Sequence, residues 1–208
     1  MYIPIAQPSL GNEENDAVLA VLASGMIAQG PVTAAFEEEF AAYCGAPHAV
    51  AVSNGTAALH AALLAAGVGP GDEVVVPAFS FFATASVVSM CGARPVFADV
   101  DAATATIDPA DVLAKVGPKT KAVIGVHLYG QPCDAGAIRE ICDDKGLVFI
   151  EDAAQAHGAT YQGKKTGSLG DLACFSFYAT KNLATGEGGM VTTASDEYDA
   201  QLRIVLVR

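Results

Sequence analysis

Short apolar runs rich in β-branched residues alternate along the chain with longer segments in which apolar residues recur at helical spacing. The runs are bounded by glycine, proline or acidic residues, and this pattern predicts strands. They are HAVAVS (48–53), DEVVVP (72–77), RPVFADV (94–100), KAVIGVHLYG (121–130) and GLVFIED (146–152). The longer segments predict helices over 12–25, 31–45, 56–67, 83–91, 109–116 and 135–145. Strands that alternate with helices predict an α/β fold with a mostly parallel sheet.

Several predicted helix ends carry suitable capping residues. Gly25 and Gly45 follow the first two helices, and each suits a left-handed C-terminal cap. Ser195 is the expected N-cap of a last helix within ASDEYDAQLRIVLVR (194–208). That segment has no glycine or proline at its end, so we expect the chain to be part of a larger protein.

Composition narrows the functional classes. The chain has 208 residues, of which 52% are hydrophobic and 16% charged, and this composition predicts a substantial core. A net charge of −12 argues against nucleic-acid or anionic-membrane partners, because both bind basic patches. The five cysteines form no C-x-x-C pair, so a zinc site is not expected and the thiols should be reduced. With no secretory signal and no apolar run of membrane-spanning length, we expect a soluble cytoplasmic protein.

Candidate chemistry lies where predicted strands end, because ligands of open α/β sheets bind beyond the carboxyl ends of the strands. In SNGTAALH (53–60), a strand leads through a small-residue turn into a helix. The free N–H groups of Gly55, Thr56 and Ala57, with the Thr56 hydroxyl, could bind a phosphate. Alternatively, Thr56 could simply cap its own helix.

Two acidic residues end the apolar strand of LVFIEDAAQAHG (147–158). Asp152 at its tip could hold a metal, bind a ribose hydroxyl or pair with a cationic heterocycle, or it could be a helix N-cap. Gln155 and His157 follow closely, and a lone histidine in such a loop is more often structural than catalytic.

A lysine stands between an aromatic run and a glycine-rich loop in FSFYATKNLATGEGG (175–189). Lys181 could be an ordinary surface charge, but an apolar setting disfavours the charged form and makes the amine a nucleophile. Ser176 lies five residues before it, and the following glycines permit close backbone approach.

Together these features match the needs of pyridoxal phosphate. That cofactor requires an anion site for its phosphate, a lysine for its aldehyde and an acid beside its pyridine nitrogen. An aromatic face for the ring is available in PAFSFFATAS (77–86), which contains Phe79, Phe81 and Phe82.

Longer motifs carry a family resemblance. They are QGPVTAAFEEEFAAYCGAPHAVAVSNGTAALHAAL (29–63), GPGDEVVVPAFSFFATAS (69–86), VIGVHLYGQPCD (123–134) and IEDAAQAHGATYQGKKTGSLGDLACFSFYATKNLATGEGGMVTT (150–193). With these, the chain resembles the DegT/StrS sugar aminotransferases, which are pyridoxal-phosphate enzymes of aspartate aminotransferase fold type I. The combination D-x-x-Q-x-H-G, S-F-x-x-x-K and G-E-G-G is highly specific.

The resemblance implies a three-layer α/β/α large domain over residues 1–194. Residues 195–208 would begin a helix that leads to a small C-terminal domain absent from this chain. It implies a homodimer with shared active sites, and transfer of an amino group from an amino acid, with glutamate as the expected donor, to a nucleotide-linked keto sugar. The truncated chain itself could be inactive.

It also implies a role for each matching residue. Lys181 would form the Schiff base with the cofactor and carry the proton, and Asp152 would pair with the pyridine nitrogen. Gln155 would lie near the ring hydroxyl, and Phe81 would stack on the ring. The phosphate would be bound by Ser176, Thr56, Gly55 and Ala57. His157 would support these residues without contacting the cofactor itself.

Three alternative functions are less consistent with the sequence. Dehydratases of the family replace the Schiff-base lysine with histidine, whereas this chain has Lys181. A cofactor-binding regulator need not keep Lys181, Asp152 and Gln155 together. A dinucleotide-binding protein is disfavoured because GVGPGD (67–72) follows a helix and precedes a strand, the reverse of the required order. The one small departure from the family is Ser80, where threonine is common.

Overall fold

A computed structural model describes residues 6–206 of the chain, and an α/β fold is confirmed. Its helices are α1 (Asn12–Ser24), α2 (Pro31–Cys44), α3 (Gly55–Ala65), α4 (Ala83–Met90), α5 (Pro109–Lys115), α6 (Ala135–Lys145) and α7 (Asp196–Leu206). Its strands are β1 (His48–Val52), β2 (Glu73–Pro77), β3 (Arg94–Ala98), β4 (Thr120–Val126), β5 (Val148–Asp152), β6 (Thr160–Tyr161), β7 (Lys164–Lys165), β8 (Leu172–Ser176) and β9 (Gly189–Thr193).

Seven strands form the central sheet in the order β1-β9-β8-β5-β4-β2-β3. The pairs β2–β3, β2–β4, β4–β5 and β5–β8 are parallel, while β9 runs antiparallel to both of its neighbours. Because β9 reverses direction between β1 and β8, those two strands still point the same way. The carboxyl ends of β1, β2, β4, β5 and β8 therefore meet at one edge of the sheet.

Helices cover both faces of this sheet and make three layers. One face packs Val74, Ile124, Ile150 and Leu172 against α3, α4 and the buried Leu202 of α7. The opposite face packs alternate positions such as Val75, Val123 and Phe149 against α5 and α6, and Phe175 against α2. Successive side chains of a strand point to opposite faces, and this period of two explains the division.

The predicted caps are confirmed. Gly25 and Gly45 follow α1 and α2 with φ of 74° and 77°, the left-handed region that glycine adopts without a steric cost. Ser195 caps α7, since its Oγ accepts the N–H of Tyr198 at 3.3 Å. The first five residues and residues 207–208 of the predicted last helix lie outside the described part of the chain.

Two predictions about strands need correction. The strand expected over 121–130 ends at Val126, because residues Leu128–Gly130 form a turn in which Tyr129 has a φ of 55°. Strand β9 and the hairpin β6–β7 were not predicted. No helix in residues 6–206 is long and apolar enough to cross a membrane.

Candidate active site

A cavity of about 840 Å³ opens at the edge where the parallel strands end. Of the nine residues to which the family resemblance assigns a role, eight line it, and His157 is the exception. The lining includes Gly55, Thr56, Ala57, Phe81, Asp152, Gln155, Ser176 and Lys181, together with Asn54, Ser80, Tyr178 and Glu187. Segments far apart in the chain thus meet at one place, as the rule for open α/β sheets predicts.

The start of α3 forms one wall. Asn54 is its N-cap, with Oδ1 accepting the N–H of Ala57 at 2.8 Å, so the alternative in which Thr56 caps the helix is wrong. The N–H groups of Gly55 and Thr56 have no hydrogen-bond partner within residues 6–206. Two of the three predicted backbone donors are therefore available to an anion, and the third is held by Asn54.

Ser176 at the end of β8 lies directly against this helix start. A Cβ placed on Gly55 would come within 2.7 Å of Ser176 Cβ and 3.2 Å of its Oγ. Only glycine allows this approach, and the resulting cradle combines two backbone N–H groups with a hydroxyl at a helix N-terminus. Such a cradle suits a phosphate group.

Asp152 is a buried carboxylate that has no cationic partner in the described part of the chain. It is 6% exposed, and it accepts hydrogen bonds from Thr84 Oγ1 at 2.9 Å and from the Ala154 N–H at 3.3 Å. No ion pair within the described chain includes it. Burial raises the pKa of Asp152, while the bond from Thr84 opposes that rise. Turns rather than a helix follow β5, so the N-cap alternative is wrong.

Gln155 is oriented by the turn after β4. Its Oε1 accepts the backbone N–H of Tyr129 at 2.8 Å, so its amide NH₂ group remains to donate to an acceptor in the cavity. Tyr129 has the left-handed backbone noted above, a conformation that often marks functional segments when a residue other than glycine adopts it.

Lys181 lies in the loop between β8 and β9 and is half-buried. Its backbone N–H donates to Tyr178 O at 2.8 Å, and its Nζ is in no ion pair with any described residue. The glycines that close this loop have the expected function. Gly186 has a φ of 86°, and a Cβ on Gly189 would come within 2.5 Å of Asn54 O.

Of the three phenylalanines proposed as an aromatic face, Phe81 alone lines the cavity. It is 63% exposed, and its ring contacts that of Phe82 edge-on at a centroid distance of 4.8 Å. A ligand ring could therefore lie against Phe81 without displacing core residues.

His157 lies behind the cavity wall. Its ring packs against Phe175 and Phe177, with centroid distances of 5.3 and 5.7 Å. Burial lowers the pKa of His157 to about 4, so the ring is neutral at physiological pH. Neither ring nitrogen has a hydrogen-bond partner among residues 6–206. Its predicted supporting role remains a prediction.

Sequence reasoning did not single out Asn54, Thr84 or Glu187 as functional residues. Asn54 could have been found, because asparagine before a helix start is a favoured N-cap. Thr84 gave no such signal, since its partner Asp152 is 68 residues away. Within the described residues, no cluster of histidine, cysteine or acidic side chains could hold a metal ion.

The chain is similar to a known protein family over nearly its whole length. The profile of the DegT/DnrJ/EryC1/StrS aminotransferase family matches residues 8–207. The GDP-perosamine synthase of Caulobacter vibrioides is 50% identical over 204 residues, which are 98% of this chain and 55% of that protein. The pleiotropic regulatory protein of Geobacillus stearothermophilus is 52% identical over 188 residues, which are 90% of this chain and 50% of that protein.

A solved structure with a similar fold is that of Spr1654 from Streptococcus pneumoniae, known in pyridoxal-phosphate and pyridoxamine-phosphate forms. It has a TM-score of 0.93 and 34% identity, and the alignment with the pyridoxal-phosphate form covers 97% of this chain and 57% of that one. The chain spans about half the length of the curated relatives it matches.

Proposed function

The chain belongs to the DegT/DnrJ/EryC1/StrS aminotransferase family, and we propose that it is the cofactor-binding part of a pyridoxal-phosphate-dependent sugar aminotransferase. The whole protein would move an amino group from an amino acid, with glutamate as the expected donor, to a keto sugar carried on a nucleotide. The name of the GDP-perosamine synthase relative supports a nucleotide-linked sugar as the substrate class.

One observation carries this proposal. Asp152 is a buried carboxylate with two neutral donors and no paired cation among residues 6–206, and it faces the same cavity as Lys181 and the anion cradle. A buried carboxylate is costly unless it is paired. A ligand with a protonated ring nitrogen, an aldehyde and a phosphate would satisfy all three features, and pyridoxal phosphate has each of them.

When bound, pyridoxal phosphate supplies an aldehyde that condenses with amines and a protonated ring that withdraws electrons from the reacting carbon. Gly55, Thr56 and Ser176 would bind its phosphate with two N–H groups and a hydroxyl. Asp152 would hold the proton on the ring nitrogen through a charge-assisted hydrogen bond. Gln155 would donate its amide N–H to the ring hydroxyl.

Lys181 would have two roles, as the residue that binds the cofactor's aldehyde and as the base that moves a proton. Its Nζ would bind the cofactor's aldehyde in the resting state, and an incoming amino acid would release it. The freed amine would then accept a proton from one carbon atom and return it to another, because it lies within the same cavity as the reacting groups. Phe81 would cover one face of the ring and exclude water from it.

Further parts of the proposal concern the whole protein. We expect a homodimer, and the exposure of Phe81 (63%), Phe82 (71%) and Tyr129 (75%) near the cavity supports a partner surface there. We expect a cytoplasmic location, supported by five free and buried thiols. The boundary between a large domain over 1–194 and a segment over 195–208 remains a prediction, and α7 packs on the core through Leu202.

A second candidate is a regulator that binds the cofactor without turnover, because a relative with 52% identity is named a pleiotropic regulatory protein. The retained set of Lys181, Asp152 and Gln155 favours the enzyme, since binding alone does not require a proton-transfer amine. Turnover with an amino donor separates the two candidates.

The test is a visible absorbance spectrum of the protein with added pyridoxal phosphate, before and after glutamate. We expect a band from lysine-bound cofactor that disappears with glutamate and returns with a nucleotide-linked keto sugar. Lys181→Ala should abolish the band, and Lys164→Ala, which removes an exposed lysine of β7, should not. A normal band or wild-type turnover in Lys181→Ala would refute the assignment, and a band that glutamate leaves unchanged would favour the regulator.

A further inference from the structure

Two hydroxyl groups connect the loop that carries Phe81 to the Asp152 carboxylate. Thr84 Oγ1 donates to Asp152 Oδ2 at 2.9 Å, and Ser80 Oγ lies 3.1 Å from Thr84 Oγ1. Thr84 is 1% exposed, whereas Ser80 lines the cavity. The chain of hydroxyls therefore runs from the cavity wall through the start of α4 to the tip of β5.

The direction of both hydrogen bonds follows from the number of protons available. An ionised carboxylate can only accept, so Thr84 uses its single O–H on Asp152. The Thr84 oxygen can then only accept from Ser80, which must be the donor. The order is Ser80 to Thr84 to Asp152, and both hydroxyl dipoles point toward the negative charge.

The Thr84 hydroxyl is not needed by its own helix. The N-cap of α4 is Phe82, with no side-chain capping bond. The Thr84 backbone N–H donates to Phe81 O at 3.1 Å, whereas its hydroxyl contacts only Ser80 and Asp152 among the described residues. Ser86, two residues further on, does the opposite, because its hydroxyl donates to Ala83 O at 3.3 Å. Ser86 therefore provides a matched hydroxyl whose contact is purely helical.

We propose that Thr84 is a positioning residue for Asp152, and that Ser80 acts through Thr84 in the same way. By occupying Oδ2, Thr84 fixes the rotation of the carboxylate and stabilises its charge. We call the hydrogen-bonded series Ser80–Thr84–Asp152 the relay. Because Ser80 immediately precedes Phe81, the relay also fixes the position of the Asp152 carboxylate relative to the Phe81 ring. This inference rests on the proposed function, in which both residues contact the same heterocycle.

Among the contacts that stabilise the charge of Asp152, the hydrogen bond from Thr84 is a major one. The titratable groups near Asp152 are His127 after β4, Glu151 on β5, Cys174 on β8, Lys181 in the next loop, and His60 and Glu187 further along the cavity wall. Burial raises the pKa of Asp152, and the Thr84 bond is the foremost of the contacts that lower it, ahead of His127 and Lys181. Removing the hydroxyl should therefore raise that pKa further.

The test compares Thr84→Val, which keeps the shape and loses the hydroxyl, with Thr84→Ser, which keeps the hydroxyl. The first measurement is the carboxyl pKa of Asp152 by ¹³C NMR in the protein without cofactor. We expect a higher pKa in Thr84→Val and a wild-type pKa in Thr84→Ser and in the control Ser86→Ala. Ser80→Ala should shift the pKa in the same direction by less.

The second measurement is the Kd for pyridoxal phosphate at pH 7. Loss of a hydrogen bond to a charged group should weaken binding about ten-fold in Thr84→Val. Ser80→Ala should weaken it about two- to three-fold, since it acts through a neutral hydrogen bond. Thr84→Ser should bind as tightly as the wild type.

The outcomes separate the relay from the proposed function. An unchanged Asp152 pKa in Thr84→Val, or equal effects of Thr84→Val and Thr84→Ser, would overturn the relay. If the wild type does not bind pyridoxal phosphate, the proposed function fails, while the NMR comparison still decides the relay. If Thr84→Val does not fold, an Asp152 pKa that is the same in Ser80→Ala and the wild type would overturn the inference.

Discussion

Replacing Asp152 with asparagine should stabilise the cofactor-free protein while it weakens cofactor binding. The carboxylate is buried without a cation, and burial raises its pKa above the ordinary value. A raised pKa means that the folded state prefers the protonated acid, so ionisation at neutral pH opposes folding. Asparagine removes that charge and keeps the shape. Thr84 can adapt, because its hydroxyl can accept from the new amide and donate elsewhere.

The size of this stabilisation depends on pH, while its sign does not change. Below the unfolded-state pKa of an aspartate, about 3.9, both states are protonated and the wild type carries no penalty. The penalty grows as pH rises from there through the folded-state pKa and is constant above it. The advantage of Asp152→Asn should therefore be largest at pH 7 and should disappear near pH 4.

The expected gain in stability and loss of cofactor affinity of Asp152→Asn can both be bounded. A neutral surface substitution changes stability by no more than about 0.5 kcal/mol, so a real gain must exceed that value. For a domain of this size, 1 kcal/mol corresponds to a Tm change of about 2–4 °C. Binding loses a charged hydrogen bond of about 1.5–3 kcal/mol, which predicts a Kd for pyridoxal phosphate about 10- to 150-fold higher.

Thermal unfolding at pH 4 and pH 7 without cofactor, followed by titration with pyridoxal phosphate, measures both effects. Asp16→Asn, which alters an exposed residue of α1, is the matched control and should change neither quantity. At saturating cofactor, Asp152→Asn should still bind but transfer protons slower by orders of magnitude in single turnovers. A variant less stable than the wild type at pH 7, with cofactor affinity unchanged, would refute the reasoning about Asp152.

Two further substitutions test the scaffold of the site. Gly55→Ala should lower the Tm and should weaken the binding of a phosphate ligand more than ten-fold, because the new Cβ would lie 2.7 Å from the Ser176 side chain. Gly69→Ala is the control, since Gly69 has open space around it. Equal phosphate binding by both variants would contradict the proposed cradle. Glu151→Ala should lower the free energy of unfolding, measured in urea, by about 3–5 kcal/mol. The substitution leaves the buried imidazole of His127 and three backbone N–H groups without an acceptor. A loss below about 1 kcal/mol would show that these groups find other partners.

Most elements of the fold were predictable because local patterns determine them. Periodicity, with caps such as Gly25 and Gly45, located six helices within a residue or two of their observed ends. Strand β9 was missed because its sequence, GMVTT, is short and begins in a glycine-rich loop. It therefore shows neither a clear alternation of apolar and polar residues nor a turn signal at each end. The end of β4 was misplaced because Tyr129 adopts a left-handed backbone that its residue type does not favour.

The site was partly predictable for a geometric reason. Parallel strands end at one edge, so motifs that follow different strands must converge there, and Gly55, Asp152, Ser176 and Lys181 do line one cavity. Contacts between side chains from distant segments were not predictable. The bond from Thr84 to Asp152 depends on how α4 packs over β5, which no local pattern specifies.

The adjacent acids Glu151 and Asp152 show why a motif alone does not identify a functional carboxylate. Both are buried, and the alternation of β5 sends them to opposite faces of the sheet. Glu151 accepts four hydrogen bonds, from His127 Nε2 and from the N–H groups of Gly167, Leu169 and Gly170.

Those four donors occupy both oxygens of Glu151 and leave no lone pair for a ligand, so its charge is used to fasten a loop to the sheet. Asp152 has two donors, one of them at 3.3 Å, and the cavity beside it. A cation that pairs directly with Asp152 can be bound from that cavity. The acid that the fold leaves incompletely satisfied is therefore the one available for chemistry, and the stability gained by Asp152→Asn would be a direct measure of that incompleteness.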